Sequence, residues 1–213
     1  TNAPSASSLV DYSLELYSAT ESGRIWRVRD TNGGDGATVL KTASSAPAKG
    51  DYFVRVYDYG DDEYEDSGKY KLTVTLADDP DKNEPNNGGN FDADKAVAKP
   101  LAAGSSVVGY IAYQRDSDWF VLDHKGGELA VNLTNLPATT STVDLSLEVY
   151  DAANKRLARE RDTNGADGAT KLSLKQALPA GTYYLRVYDS GDDDFGLDQS
   201  YSVAFGAEAK PVK

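Results

Sequence analysis

The 213 residues suffice for one or two domains with a sizeable buried core. A formal net charge of -12 repels phosphate backbones and anionic headgroups, which excludes nucleic acid and membrane surfaces as partners. The chain has no cysteine, so disulfides, thiolate catalysis and cysteine-ligated zinc are excluded, and no stretch approaches the roughly 20 apolar residues that span a bilayer.

From the N-terminus, alternating apolar residues over 12–17 open a run of five short strands that closes at 70–76. Within it, the loop from Arg29 through Asp30, Thr31, Asn32 and Gly33 to Thr38 returns as Arg161, Asp162, Thr163, Asn164, Gly165 to Thr170. The repeat extends from Thr1-Asn2-Ala3-Pro4 against Thr134-Asn135-Leu136-Pro137 to Tyr70 against Tyr201, so one folding unit is present twice. The first copy has no counterpart to residues 83–133, which leaves one and a half units. Five strands without the three opposing ones expose an apolar face and open sheet edges. Truncation, strands borrowed from a neighbouring molecule, and service of the first unit by segment 83–133 each account for this. Truncation is favoured, because loops and termini are where chains are cut, and the chain is expected to be a processed or excised piece of something longer.

Residues 77–90 are polar, rich in proline and glycine, and without periodicity, as in a linker. The expected organisation is a partial repeat over 1–79, a linker over 80–90, a complete unit over 91–207 and a tail over 208–213. In the complete unit, strand signals fall at 107–112, 119–123, 129–134, 145–150, 157–161, 171–174, 183–188 and 201–205, separated by turn formers such as Gly126-Gly127 and Pro179-Ala180-Gly181. Leu129, Val131 and Leu133 share one side and Ala130, Asn132 and Thr134 the other, the pattern of a sheet with one dry face. The fold class is therefore all-β: an antiparallel β-sandwich or jelly roll, one complete unit plus a partial repeat of its second half.

Asn83-Glu84-Pro85-Asn86, then Gly109-Tyr110-Ile111, Asp116-Ser117-Asp118-Trp119-Phe120, Asp144-Leu145-Ser146-Leu147 and Ala180-Gly181-Thr182-Tyr183-Tyr184 follow one another in an order that resembles the bacterial pre-peptidase C-terminal domain family. Collagen-binding modules of secreted collagenases are similar. The resemblance covers residues 83–206, and 1–76 match its second half through the repeat. It implies a non-catalytic jelly-roll sandwich appended to secreted peptidases and surface proteins, often stabilised by calcium and in some members binding collagen or polysaccharide. The family's calcium residues carry over as Glu84, Asn86, Asn87, Asp116 and Asp118. The family's usual acid after Glu-Pro-Asn is here Asn87, and the lost carboxylate should weaken the site.

Strand parity sends the turn at Asp116 and Asp118, the loop with Asp162, Asn164 and Asp167, and the loop with Asp189, Asp192 and Asp193 to one end of the sandwich, where oxygen donors for a hard cation would converge. The Asp162 loop begins like an EF-hand, but its twelfth position is Lys41 in one copy and Ser173 in the other. Turn chemistry alone accounts for Asn-Gly and Asp-Gly pairs, and solvation alone for acidic runs.

On strand 183–188, alternation turns Tyr183, Leu185 and Val187 inward and leaves Tyr184, Arg186 and Tyr188 outside with Tyr150. Phe53, Arg55 and Tyr57 repeat this in the first copy. Such a face suits stacking on sugars or a proline-rich helix; equally, the rings serve as cross-strand partners over Tyr150 or Arg159. His124 is the only histidine and reads as a surface residue, and the nucleophile and metal-hydrolase motifs are missing. The chain is expected to be a non-catalytic, secreted or cell-surface binding module with calcium-stabilised loops and a collagen or polysaccharide partner. One alternative is an assembly protein that shares strands between chains through 1–79. Another is a domain assisting secretion or folding of an attached peptidase.

Overall fold

A computed structural model describes residues 2–3, 10–19, 23–30, 39–46, 49–62, 69–86, 90–136, 141–162, 171–197 and 200–206. The chain divides into two compact units, Thr1–Asp78 and Asp79–Lys213.

The first unit contains β1 (Asn2–Ala3), β2 (Tyr12–Ser18), β3 (Arg24–Arg29), β4 (Tyr52–Asp58) and β5 (Lys69–Tyr70). β3, β2 and β4 form an antiparallel sheet in that order, with β4 at one edge, and β1 pairs with β5 through Asn2 opposite Tyr70. The strand expected over 70–76 ends at Tyr70, and residues 71–79 are irregular.

The second unit contains α1 (Phe91–Val97), β6 (Lys99–Pro100), β7 (Ser105–Tyr110), β8 (Ser117–His124), β9 (Gly127–Leu136), β10 (Leu145–Tyr150), β11 (Arg156–Arg161), β12 (Lys171–Leu178), β13 (Gly181–Asp189) and β14 (Ser200–Phe205). One sheet has the order β11-β10-β13-β8-β6 and the other β12-β9-β14-β7. All pairings are antiparallel except β6 with β8. The fold is an all-β sandwich, as the alternating patterns require. All eight expected strands of this unit form, each shifted or lengthened by a few residues at most.

The core lies between the sheets. Leu147, Val149, Leu185 and Val187 from one sheet meet Leu129, Val131, Leu133 and Val203 from the other, all at 0% exposure. The central segment therefore serves the second unit, since β8 pairs with β13, and β9 with β12 and β14. α1 was not expected. Asn90 caps it, its side chain accepting from Ala93 N at 3.1 Å, and Asp92 and Asp94 complement the positive end of the helix dipole.

Residues 79–86, mostly inside the segment read as a linker, are bonded to this sandwich. Asp81 accepts from Tyr110 N (2.8 Å), Asn83 Nδ2 donates to Val108 O (2.7 Å), and Trp119 N donates to Asn86 O (3.2 Å).

Candidate metal centre

Residues 84–86 of that segment lead directly to an acidic cluster. By strand parity Asp118 belongs with Phe120 and Leu122 on the core side of β8, opposite Val187. A carboxylate thus occupies a core position at the end of the sandwich, with 0% exposure. Its Oδ2 accepts from the Tyr201 hydroxyl. That contact requires Gly109: a Cβ there would lie 2.4 Å from the tyrosine oxygen, so only glycine lets the ring lie across β7.

Asp116 is 1% exposed and its Oδ2 accepts from Ala112 N at 2.7 Å, which holds the turn into β8. Glu84 reaches the same place from the preceding segment, its Oε2 accepting from Asn86 N at 3.1 Å. One oxygen from each of Glu84, Asp116 and Asp118 lies within 4.8 Å of the others. Burial pushes all three carboxyls upward and like-charge repulsion adds to it, from Asp81 and Asp79 at Glu84, which rises to about 7, and from Glu84, Asp81 and, at Asp118, Asp116, so that Asp116 and Asp118 rise well above the ordinary aspartate value.

Glu84 Oε1, Asp118 Oδ1 and Asn86 Oδ1 are buried without a hydrogen-bond partner. Buried acceptors are normally satisfied. These three oxygens, two of them from the crowded carboxylates themselves, fit a cation, and an oxygen-only donor set suits calcium, magnesium or manganese rather than copper, which prefers nitrogen and sulfur.

The other expected ligands are placed differently. Asn87, Asn164 and Asp167 lie outside the described residues. Asp162 and Asp189 do emerge at the Asp116 end of the sheet, as Asp162 N donates to Leu145 O and Leu145 is registered with Asp189. Asp189, however, accepts from Asp144 N (3.1 Å), Asp193 N (2.9 Å) and Asp194 N (3.3 Å), so its carboxylate organises the loop. Asp192 pairs with Arg115 at 3.5 Å, and Asp193 is exposed. The acidic run is thus built as a turn: Asp192, at φ 62°, takes the left-handed conformation, and Asp61 repeats it in the first unit at φ 55°.

The aromatic face also differs from an open platform. Tyr150 is only 5% exposed, packed edge-on against Phe91 at 5.0 Å, because α1 lies over this part of the sheet. Lys95 sits 5.4 Å above the Tyr184 ring, and Arg186 stacks 4.2 Å from Tyr188. Sequence reasoning missed what these residues surround. Glu148, 2% exposed, accepts from Tyr150 Oη (2.6 Å), Arg156 Nη1 (2.6 Å) and Tyr188 Oη (3.2 Å), with Arg159 and Arg186 at 3.5 and 3.8 Å. The first unit repeats the arrangement: Glu15 accepts from Tyr17 (2.8 Å), Tyr57 (3.1 Å) and Arg24 (3.2 Å), with Arg27 and Arg55 within 4.0 Å. Burial raises both carboxyls, but the tyrosine and arginine contacts outweigh it and hold them below the usual glutamate value. A glutamate repeated amid outward-facing tyrosine and arginine was the available signal.

His124 is not a surface residue. It is 6% exposed, packed against Tyr183 and Phe205.

Solved structures similar to the chain include a pre-peptidase C-terminal domain. That domain, from a collagenase of Bacillus anthracis, is 14% identical with a TM-score of 0.39, over 51% of this chain and 93% of its own. The K3 adhesin domain of Lys-gingipain from Porphyromonas gingivalis is 19% identical with a TM-score of 0.33, over 47% of this chain and 71% of its own. CorA, a surface-associated copper-binding protein of Methylomicrobium album, is 11% identical with a TM-score of 0.33, over 52% and 98%. No protein-family model matches the sequence, and no curated protein does. Among the described residues, no helix is long and apolar enough to cross a membrane.

Proposed function

We propose that the chain is a non-catalytic, secreted or cell-surface binding module in which calcium, held by Glu84, Asn86, Asp116 and Asp118, clamps segment 79–86 to the sandwich. The observation that carries this reading is the set of buried oxygens without hydrogen-bond donors among three carboxylates pushed toward protonation. Calcium supplies the missing positive charge and accepts oxygen ligands from loops of uneven spacing.

Thermal unfolding with excess calcium and with chelator tests it. Calcium at about 100 times its dissociation constant should stabilise the native state by about 2.7 kcal/mol. Asp118→Asn, which removes one of the crowded charges, should raise the calcium-free midpoint and abolish the calcium response. An unchanged midpoint for the parent chain in calcium would end the proposal.

The partner is a polymer, collagen or polysaccharide, met by the face that carries Tyr184, Arg186 and Tyr188. Support comes from half-buried aromatics and arginines that are already immobilised, so contact costs little side-chain entropy. Tyr184→Ala with Tyr188→Ala should weaken retention on immobilised collagen or polysaccharide at least tenfold. Equal retention of the double variant would discard this face.

A further inference from the structure

Of the nine arginines in the chain, eight fall on two equivalent sheet faces, so their charge is gathered by register rather than scattered over the surface. In the second unit Arg159 and Arg161 share one side of β11 by parity, opposite Glu148 and Ser146. Arg156 and Arg186 reach the same carboxylate from the two neighbouring strands. Arg156, Arg159 and Arg161 are exposed, and Arg186 is half-buried against Tyr188. Arg24, Arg27, Arg29 and Arg55 stand at the same register positions around Glu15 in the first unit.

Glu148 cannot neutralise this set. Arg156, Arg159 and Arg186 approach it at 2.6, 3.5 and 3.8 Å, and Arg161 stands beyond them beside Ser146. Four guanidiniums against one carboxylate leave three positive charges uncancelled on the face, in a chain whose formal net charge is -12. Asp92 and Asp123, the acids nearest the rim, are already matched, Asp92 by Lys95 at 3.7 Å and Asp123 by Lys125. Like charges held this close repel, and an anion from outside relieves the repulsion.

We propose that the polymer bound by this face is an acidic polysaccharide, its uronate carboxylates pairing with Arg156, Arg159 and Arg161 while its sugar rings lie against Tyr184 and Tyr188. This rests on the reading of that face as the polymer-binding one. The face already holds one carboxylate in the required way, since Glu148 accepts from a guanidinium and two tyrosine hydroxyls. Arginine suits the task better than lysine because its planar fork takes a carboxylate through two parallel hydrogen bonds. A collagen helix presents lysines and arginines among its acids, which this face repels, whereas a uronate polymer presents anions alone. The dense phosphates of nucleic acid meet the strongly negative remainder of the chain, which a polymer with carboxylates on alternate sugars meets far less.

The test measures retention of the full chain on immobilised hyaluronan, in which alternate sugars carry a carboxylate, beside carboxyl-reduced hyaluronan, chondroitin sulfate, collagen and duplex DNA. Hyaluronan should retain the chain, carboxyl reduction should weaken retention roughly tenfold or more, and raised salt should weaken it further. Arg29→Gln with Arg161→Gln, one exchange on each face, should cost about tenfold on hyaluronan. The comparison of native with carboxyl-reduced polymer needs no variant, so it decides the matter even if that variant folds poorly. Equal retention on the reduced polymer, or stronger retention on collagen, together with sensitivity to Tyr184→Ala and Tyr188→Ala, would overturn the acidic ligand and leave the polymer-binding face standing. No retention on any polymer would overturn both. Stronger retention on chondroitin sulfate or on DNA at the same salt would show that charge density, not the carboxylate, is recognised, and would overturn the proposal.

Discussion

At the residue scale the firmest electrostatic feature is Glu148, a buried carboxylate whose neighbours carry more positive charge than it cancels. Replacing it with glutamine leaves Arg156, Arg159 and Arg186 facing one another without their anion, and the second unit should lose about 3 kcal/mol of unfolding free energy. The folded carboxyl lies below its ordinary value of 4.5. Its contribution is therefore fully present above that value and lost as pH falls through the lowered one. Denaturant titrations should show the parent and Glu148→Gln far apart at pH 7 and converging as pH falls below the lowered value; a constant gap would contradict the assignment. Glu84 has the opposite sign. Its carboxyl sits near 7, so in the absence of a cation its contribution is intact below about 4.5 and disappears as pH rises through about 7. Calcium affinity should consequently climb between pH 5 and pH 8, because binding must displace the proton, and Glu84→Gln should flatten that climb in calorimetric titrations.

At the element scale, identical residues in β4 and β13 make a controlled comparison. Val187→Ala removes two methyl groups from a closed core and should cost about 2 to 3 kcal/mol, whereas Val56→Ala, at a half-buried position, should cost less than about 1 kcal/mol. Each unit holds one of the two tryptophans, Trp26 and Trp119, so fluorescence of the Trp26→Phe and Trp119→Phe chains follows the two unfolding transitions separately. Equal costs in the two units would show that the first unit's apolar face is covered. The strand patterns of the second unit were legible because alternation reports burial on one side directly. α1 was less so: with seven residues it has no periodicity to detect, and only Asn90 followed by Asp92 and Asp94 marked its start.

At the scale of the whole molecule, the repeat and the alternation of apolar residues were enough to determine an all-β chain built from one unit and part of another, since period-two patterning leaves a strand few other ways to bury its side chains. Parity also placed Asp116, Asp162 and Asp189 at one end of the sheet. What parity could not decide is which carboxylates face each other and which face backbone N–H groups. Asp189 is consumed by the amides of its own loop, while Glu84, Asp116 and Asp118 crowd together and Glu84 and Asp118 keep a buried oxygen without a hydrogen bond, although all read alike as acidic loop residues. The same holds for the strands themselves. Tyr70, Leu72 and Val74 repeat the alternation of Tyr201, Val203 and Phe205, yet only the latter three form a continuous buried strand. A strand's hydrogen bonds and burial come from neighbours distant in sequence, and among the described residues those neighbours flank β14 in the second unit but not residues 71–76 in the first.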